Sequence, residues 1–396
     1  WKATSRSSSC DFVLQNDMQP LVECHAFSSV LATVDRFGGS SSSREERRNF
    51  LYVMEWKQAS FGSSENVSTL SLLVTPKSRN ESLDIISRTK KLSLAKLKII
   101  IPKSQRVMSG DEVSPWSSAM WSFFRTLRLE SKADRTLTLI DSDDPAFALT
   151  VASSTETPEL AVREGIVFIP KLSELGSFGE HYERSLGATL VTGGTGALGN
   201  HLALLGWSTS ICLVSRRGIL ESHQSILLQK FEILNIRSNF NRPRKCFAAF
   251  TSQSSVTGNK FQTLFHLSGT LRDRLYVNLT PDDFEDVLNS KERIISSILL
   301  VGHQFRQQVL FSSVTSVFGN PGQSAYALAN GYLDGLASSS VKVINWGPFV
   351  GGGMFQSAGR YPFRPFEATQ LGHYLSGALQ AKNDNVTACY PGGIVT

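Results

Sequence analysis

The sequence predicts an α/β protein of two units, the second a doubly wound parallel sheet. At 396 residues the chain is longer than one hydrophobic core usually serves. Short apolar runs alternate with helical patterns in both halves, which is typical of parallel sheets. At 188–206, ATLVTGGTGALGNHLALLG, an apolar strand runs through a Gly-rich turn into a helix.

Composition excludes several classes of protein. The chain is 41% hydrophobic and 19% charged, as a folded globular protein is, with a net charge of +6. No run of Lys and Arg is interleaved with aromatic residues, so we expect no nucleic-acid partner. The five scattered cysteines form no CxxC pair, which argues against a zinc site or a disulfide framework and favours the cytoplasm. No apolar run reaches about 18 residues, so we expect no membrane span.

The first half begins after a linker. Residues 7–34 predict a strand pair around the turn NDMQP, and a Gly/Ser run followed by charges fills 38–49. Strands are then predicted at 51–57, 71–75, 96–101, 136–140 and 165–169, with a helix at 116–130. No Gly-rich turn follows any of these strands. This half could therefore be built like a nucleotide-binding unit and yet hold no nucleotide.

The Gly-rich turn predicts a dinucleotide site. Its glycines allow a tight turn and a close approach of the backbone to a pyrophosphate at the helix N-terminus. The alternative is an ordinary Gly-rich turn. The predicted cofactor-binding residues are Thr192, Gly193, Gly194, Thr195, Gly196, Leu198 and Gly199.

The next strand, ICLVSRRG, predicts which dinucleotide binds. It ends in Ser215, Arg216 and Arg217, where an enzyme that prefers NADH usually has an acidic residue. Because guanidinium groups bind phosphate in a bidentate manner, NADPH is favoured, unless both arginines are merely solvated. A third strand, 261–265, leads to Gly269, which suits close packing against the cofactor, whereas His266 is interpreted as structural.

Four polar side chains are candidates for catalysis. A helix is predicted over 279–300, capped by Thr280, and Lys291 falls on its apolar face, where it either has a function or extends to water. The strand 308–314 ends in Ser313, and the following helix carries Tyr326 and Asn330 one turn apart.

These side chains could meet at the carboxyl ends of parallel strands, where ligands bind. The predicted chemistry is carbonyl reduction. Tyr326 would donate the proton, Lys291 would lower its pKa, Ser313 would stabilise negative charge on the substrate oxygen, and Asn330 would hold a water molecule or the lysine.

At these residues the chain resembles the ketoreductase domain of a modular polyketide synthase, a relative of the short-chain dehydrogenases/reductases. The resemblance implies two Rossmann-like subdomains, a truncated structural one (50–186) and a catalytic NADPH-binding one (187–396). Residues 1–37 are similar to the closing strands of a preceding dehydratase domain. The similar blocks are LVTGGTGALG, LVSRRG, FHLSGTLRD, LTPDDFEDVLNSK, LFSSVTSVFGNPGQSAYALANGYLDGLA and INWGPFVGGGM, with WSSAMWSFFRTLRLE, LTLIDSDDPAFA and ELAVREGIVFIPKL in the first half.

The resemblance also implies a substrate, partners and a stereochemical outcome. The substrate would be a β-ketoacyl chain on the phosphopantetheine arm of an acyl carrier protein, among neighbouring synthase domains. Members that deliver the D-alcohol carry LDD where this chain has LRD ending in Asp273, and the other class carries Trp at Phe318. The D-hydroxy product is therefore favoured, with Pro321 also at the substrate. The Gly run 351–353 would be a hinge for a lid.

Three other functions are compatible with these residues. The chain could be a reductase-inactive structural domain of a megasynthase, or a scaffold that binds dinucleotide without reducing anything. It could also be a stand-alone reductase for small ketones, although the first half and residues 7–34 disfavour that reading.

Overall fold

The computed structural model describes most of the chain as two compact units. The first comprises residues 1–174, 273–279 and 315–335, and the second comprises 175–272, 280–314 and 336–396. The described residues are 12–16, 19–24, 50–59, 70–90, 97–131, 137–153, 157–176, 185–215, 233–237, 261–300, 305–351 and 363–391.

The first unit contains a six-stranded sheet in the order β3-β8-β7-β6-β5-β4. The run from β4 to β7 is parallel, whereas β8 is antiparallel to both β7 and β3. The parallel sheet predicted for this half is therefore only partly right, because β7 and β8 form a tight hairpin. Apart from this sheet, β1 and β2 pair antiparallel, as predicted. The strands are β1 (Phe12–Asn16), β2 (Gln19–Cys24), β3 (Leu51–Ala59), β4 (Leu70–Leu73), β5 (Leu97–Ile100), β6 (Leu137–Ser142), β7 (Glu159–Arg163) and β8 (Ile166–Glu174).

A buried helix, α2 (Pro115–Glu130), organises the first unit. Ser114 caps it by accepting a hydrogen bond from the Ser117 backbone, and proline occupies its first position. Nearly all of its residues are buried. The other helices of this unit are α1 (Arg79–Thr89), α3 (Pro145–Ser153), α7 (Val314–Phe318, whose first residue belongs to the second unit) and α8 (Ser324–Asp334).

Helix α8 packs closely on α2 because glycine lets the two backbones approach. A Cβ added at Gly331 would lie 2.4 Å from the Ser122 hydroxyl oxygen. The rings of Trp116 and Tyr332 lie 4.7 Å apart, centroid to centroid. Residues 315–335 are thus part of the first unit, although they follow the second unit's strands in sequence.

The carboxyl ends of β5 and β6 carry a hydrogen-bonded loop instead of a glycine turn. The buried Asp141 carboxylate accepts backbone N–H groups from Lys103, Ser104 and Gln105. Arg163 contacts the same carboxylate at 3.2 Å. These contacts fill the edge at which a dinucleotide would bind in a sheet of this kind.

The second unit contains a seven-stranded parallel sheet in the order β11-β10-β9-β12-β13-β14-β18. The chain starts at β9, moves outward to β11 and returns to β12 on the other side of β9, so the fold is doubly wound, as predicted. Its strands are β9 (Gly187–Thr192), β10 (Ser208–Ser215), β11 (Ile233–Arg237), β12 (Thr263–His266), β13 (Gln307–Ser313), β14 (Val341–Trp346) and β18 (Asn385–Ala388).

The helices of this unit are α4 (Ala197–Leu204), α5 (Pro281–Ser290), α6 (Glu292–Leu300) and α9 (Leu371–Gln380). Short strands near its end form two further pairs, β15 (Phe349–Val350) with β17 (Phe366–Glu367) and β16 (Phe363–Arg364) with β19 (Tyr390–Pro391).

The prediction of one continuous helix over 279–300 is wrong, because the helix is interrupted at Lys291. Thr280 caps α5 with a reciprocal capping box to Asp283, as expected of its start. The helix ends at Ser290, because Lys291 adopts φ −115° and ψ −73°, and α6 begins at Glu292. The amphipathic pattern continues through the break, so periodicity alone gives no sign of it.

Candidate active site

The second unit has a reversal of strand order beside β9, which is where open α/β sheets bind ligands. β9 and β12 are parallel neighbours, with Thr192 opposite His266. The Gly-rich turn leaves the carboxyl end of β9 at this point. The sequence-predicted turn is therefore at the switch point of the sheet.

At Gly193 and Gly199, as at Gly194, an added Cβ would come closer than 3.0 Å to a neighbouring atom. Gly193 has φ +71°, and a Cβ there would lie 2.8 Å from the Ser268 backbone nitrogen. A Cβ at Gly199 would lie 2.4 Å from the carbonyl oxygen of Gly194. The first contact brings the turn against the chain that follows β12. The second lets α4 start directly against the turn.

Helix α4 begins without a side-chain cap. Gly196 is its N-cap residue and has no side chain with which to accept the first backbone N–H groups. Such a helix start suits an anionic phosphate, because the N–H groups and the helix dipole both favour negative charge. Thr195 and Leu198 are half-buried beside it. The residues present thus fit the pyrophosphate of a dinucleotide.

Thr192 and His266 form a buried pair under the turn. The Thr192 hydroxyl lies 2.7 Å from Nδ1 of His266. Burial, reinforced by the Lys291 ammonium, lowers the pKa of His266 to about 3, so the ring is neutral at physiological pH. A buried, neutral ring that contacts Thr192 is consistent with the interpretation of His266 as a structural residue.

The remaining cofactor candidates are only partly within the described residues. Ser215 is the last residue of β10 and is half-buried. Gly269 follows β12 and is half-buried. Arg216 and Arg217, on which the choice of NADPH depends, lie outside the described residues, as do Gly352 and Gly353 of the expected hinge.

Lys291 is buried at the break between α5 and α6. Its side chain is 2% exposed, and Nζ donates a hydrogen bond to the Phe311 carbonyl oxygen at 2.8 Å. The alternative that this lysine extends to water is therefore wrong. Phe311 lies on β13 two residues before Ser313, so the ammonium is fixed beside that strand.

Ser313 is the last residue of β13. The hydroxyl of its neighbour Ser312 is hydrogen-bonded to the adjacent strand of the sheet. The Ser312 hydroxyl accepts a hydrogen bond from the Asn345 amide at 3.1 Å, whereas Ser313 is 9% exposed at the carboxyl end of the strand. Because successive residues of a strand face opposite ways, the two hydroxyls point to different faces of the sheet.

Tyr326 and Asn330 lie on α8, in the first unit. Tyr326 is half-buried, whereas every other residue from Ser324 to Leu333 is buried. The Asn330 amide donates to the Tyr326 backbone carbonyl at 2.8 Å. The four catalytic candidates are thus divided between the units, with Lys291 and Ser313 in the second.

The substrate-side candidates belong to the first unit. Asp273 is exposed and accepts a hydrogen bond from the Gln323 amide at 2.9 Å. Partial desolvation raises the pKa of Asp273, and that hydrogen bond opposes the rise. Phe318 is buried at the end of α7, and Pro321 is half-buried in the turn before α8.

Sequence reasoning missed three residues beside these candidates: Glu130, Tyr276 and Gln323. Glu130 accepts hydrogen bonds from the Tyr276 and Gly322 backbones. The sequence did contain a signal for Glu130. A glutamate at the end of a predicted helix is unfavourable, because the helix dipole disfavours negative charge there.

Two kinds of feature were searched for in the described residues. Within them, no group of three or more His, Cys, Asp or Glu side chains is placed to hold a metal ion. No helix in the described part of the chain has the length and apolarity that crossing a bilayer requires.

Comparisons with known proteins give one domain match and several similar proteins. Residues 187–350 match the family model "KR domain". The chain is 31% identical over 235 residues to Polyketide synthase GfsA of Streptomyces halstedii, an alignment covering 56% of this chain and 3% of that protein. It is 30% identical over 281 residues to Chalcone synthase cfoA of Aspergillus candidus, covering 64% of this chain and 10% of that one. The chain thus spans a tenth or less of the length of these curated relatives.

Solved structures share the fold. The ketoreductase PlmKR1, from the first module of phoslactomycin biosynthesis in Streptomyces sp. HK803, superimposes with a TM-score of 0.74 at 17% identity, over 87% of this chain and 94% of that one. The first ketoreductase of the tylosin PKS gives 0.70 at 21% identity, over 87% and 93%. Identities this low establish the fold alone. Residues 187–350 therefore match a KR domain, and the chain as a whole is similar in sequence to parts of polyketide synthases and in fold to solved ketoreductases.

Proposed function

We propose that the chain reduces the β-keto group of an acyl thioester on an acyl carrier protein to a β-hydroxy group, with NADPH as the reductant. The observation that carries this proposal is the KR domain match over 187–350. These residues include a glycine turn that fits a dinucleotide, together with all four catalytic candidates, Ser313, Tyr326, Lys291 and Asn330. The first unit, with its loop-filled sheet edge, would serve as the structural subdomain.

The cofactor would be held by the turn and the strand ends of the second unit. The backbone from Gly193 to Leu198 would bind the pyrophosphate at the start of α4, with Thr192 and Thr195 beside it, and Gly269 would allow close packing against the cofactor. Ser215, Arg216 and Arg217 would bind the 2′-phosphate, which distinguishes NADPH from NADH. When bound, the nicotinamide supplies a hydride to the carbonyl carbon.

The protein's own residues would supply the proton. A phenol in water has a pKa of about 10, and a neighbouring ammonium lowers it. We assign the phenol to Tyr326 and the ammonium to Lys291, whose burial removes water that would screen its charge. Ser313 would donate a hydrogen bond to the carbonyl oxygen as negative charge develops there. Asn330 would hold a water molecule or the lysine in a proton relay.

The product would be the D-hydroxy thioester. Asp273, Phe318 and Pro321 would line the substrate side, and the presence of Asp273 together with the absence of Trp at 318 supports this outcome. Chiral chromatography of the product from one model β-ketothioester tests the assignment directly.

The test of the function is turnover of a β-ketoacyl thioester by the purified chain, followed by NADPH fluorescence. Tyr326→Phe removes one hydroxyl, and we expect turnover to fall by about 10²–10⁴-fold, the usual contribution of a positioned acid. NADPH affinity should stay within about twofold of the original. Tyr332→Phe, on the same helix, is the matched control and should retain turnover within about threefold.

The outcomes separate the competing functions. If the unsubstituted chain binds NADPH but does not consume it, the proposed reduction is contradicted and a structural, cofactor-binding domain is favoured. Equal rates on free ketones and on carrier-bound thioesters would favour a stand-alone reductase. A preference for NADH over NADPH would contradict the role given to Arg216 and Arg217.

A further inference from the structure

Glu130 occupies a position that is unfavourable for a carboxylate. It is the last residue of α2, where the helix dipole disfavours negative charge. It is also half-buried, and desolvation raises the pKa of its carboxyl to about 7, against the two backbone hydrogen bonds that lower it. Residues that break local rules in this way are expected where a function maintains them.

The Glu130 carboxylate holds two segments that are distant in sequence. One oxygen accepts the backbone N–H of Tyr276 at 2.6 Å, and the other accepts the backbone N–H of Gly322 at 2.9 Å. The same two segments are joined directly by the Arg274 N–H, which donates to the Gly322 carbonyl at 2.8 Å. A side-chain bond from Gln323 to Asp273 is the fourth connection.

The turn that contains Gly322 is held to α2 by the Gly322 N–H bond to Glu130 at 2.9 Å and by a longer bond, 3.4 Å, from the Asn320 N–H to the Thr126 hydroxyl. Gly322 has φ +83°, and a Cβ there would have no neighbour closer than 3.9 Å. Gln323 is the N-cap residue of α8, but its side chain makes no capping hydrogen bond. Instead, its amide oxygen accepts from Thr315 and Asn320, and its nitrogen donates to Asp273. The network around Glu130 therefore contributes to the position at which α8 starts.

The phenol of Tyr326 follows this turn at once. Tyr326 is the third residue of α8, and Asp273 is the first residue of the other segment that the network joins. A displacement of the turn would move both groups relative to the backbone of α2. In the proposed function, Tyr326 is the acid and Asp273 lies on the substrate side.

We propose that Glu130 is a specificity-determining positioning residue, which sets the ratio of the two β-hydroxy enantiomers by fixing the turn before Tyr326 and the segment that begins at Asp273. This inference rests on the proposed function and deepens it. It assigns part of the stereochemical control to a residue of the first half of the chain, outside residues 187–350.

The enantiomer ratio distinguishes positioning from stability. The ratio depends on the difference between two transition-state free energies, so a tenfold change corresponds to about 1.4 kcal/mol. A variant that merely unfolds more easily has fewer active molecules, and both products decrease together. Only a change in the geometry of the molecules that remain folded alters the ratio.

The experiment measures this ratio in the full chain. Glu130→Gln keeps one acceptor oxygen but places an amide N–H₂ against one of the two backbone donors, and Glu130→Ala removes both acceptors. We expect the proportion of the minor enantiomer to rise about tenfold or more in both, with NADPH affinity within about twofold of the original. Glu112→Gln, a surface carboxylate of the same unit, is the control and should leave the ratio unchanged.

Each outcome decides the matter. Folded Glu130 variants with the original ratio would overturn the proposal and leave the proposed function standing. If those variants do not fold, Gln323→Leu, which breaks only the side-chain links of the network, takes their place, and an unchanged ratio would again overturn it. If the unsubstituted chain shows no turnover, the proposed function is refuted, and the role proposed for Glu130 is refuted with it.

Discussion

Gly193 and Gly206 have nearly the same backbone conformation, with φ of +71° and +69°, but very different surroundings. A Cβ at Gly193 would lie 2.8 Å from the Ser268 backbone nitrogen, whereas a Cβ at Gly206 would have no neighbour within 4 Å. The strain of a left-handed conformation is common to both positions. Only Gly193 adds a steric requirement, and it does so where the dinucleotide is expected to bind.

This pair gives a matched test of the turn. Both Gly193→Ala and Gly206→Ala should lower the free energy of unfolding by about 1 kcal/mol, because alanine is strained in the left-handed conformation. We expect Gly193→Ala to lose stability beyond this, because the turn must move away from Ser268, and to bind NADPH at least tenfold more weakly. Chemical denaturation and fluorescence titration measure the two effects. Equal NADPH affinity in the two variants would contradict the cofactor role of the turn.

At the scale of elements, a buried ion cluster joins α2 to β7. Glu159 accepts hydrogen bonds from Arg125 at 2.6 and 2.8 Å and from Arg128 at 2.8 Å, and all three side chains are less than 10% exposed. A third nitrogen of Arg125 donates to the Ser316 carbonyl at 2.9 Å. The cluster thus fixes helix α2, strand β7 and the chain that leads towards Tyr326.

Stability should depend on the ionisation of Glu159. Burial alone would raise the pKa of this carboxyl, but the two guanidinium groups outweigh it and hold the pKa at about 2. The folded chain therefore binds this proton more weakly than the unfolded chain. The stabilisation, on the order of 3 kcal/mol, is present in full above about pH 4.5 and is lost as the pH falls towards 2.

Replacing this carboxylate tests the cluster. Glu159→Gln leaves two buried guanidinium groups without a countercharge, and we expect a loss of about 3–5 kcal/mol at pH 7. Because the variant lacks the titrating group, its free energy of unfolding should also fall less steeply between pH 4.5 and 2. Urea denaturation at several pH values measures both. Glu112→Gln, whose partner Lys103 is exposed, should change stability by less than about 1 kcal/mol. A similar loss in the two variants would contradict the stabilising role of the buried cluster.

At the scale of the whole molecule, local patterns predicted most of the second unit. The strands β9, β10, β12 and β13 and the glycine turn were recognisable because apolar runs and turn residues act over a few neighbours. Lys291 was recognisable as an exception to an apolar stripe, although the helix break at that residue was not. The division between units was not predictable, because the contact of Gly331 with Ser122 joins positions about two hundred residues apart and leaves no periodic trace.

The long-range packing predicts that no single cut separates two folded halves. The first unit contains 273–279 and 315–335, so a chain ending at 186 lacks α8 and the segment that Glu130 holds. In such a fragment, the face of α2 that packs on Tyr332 and Gly331 would be exposed, along with a carboxylate whose two backbone donors are missing. We therefore expect fragment 50–186 to be insoluble or to unfold without a cooperative transition. Fragment 50–396 should melt cooperatively, with the near-ultraviolet circular dichroism of packed tryptophans. A cooperative melt of 50–186 alone would show that α2 is stable without α8, and it would remove the structural basis for linking the first half to the position of Tyr326.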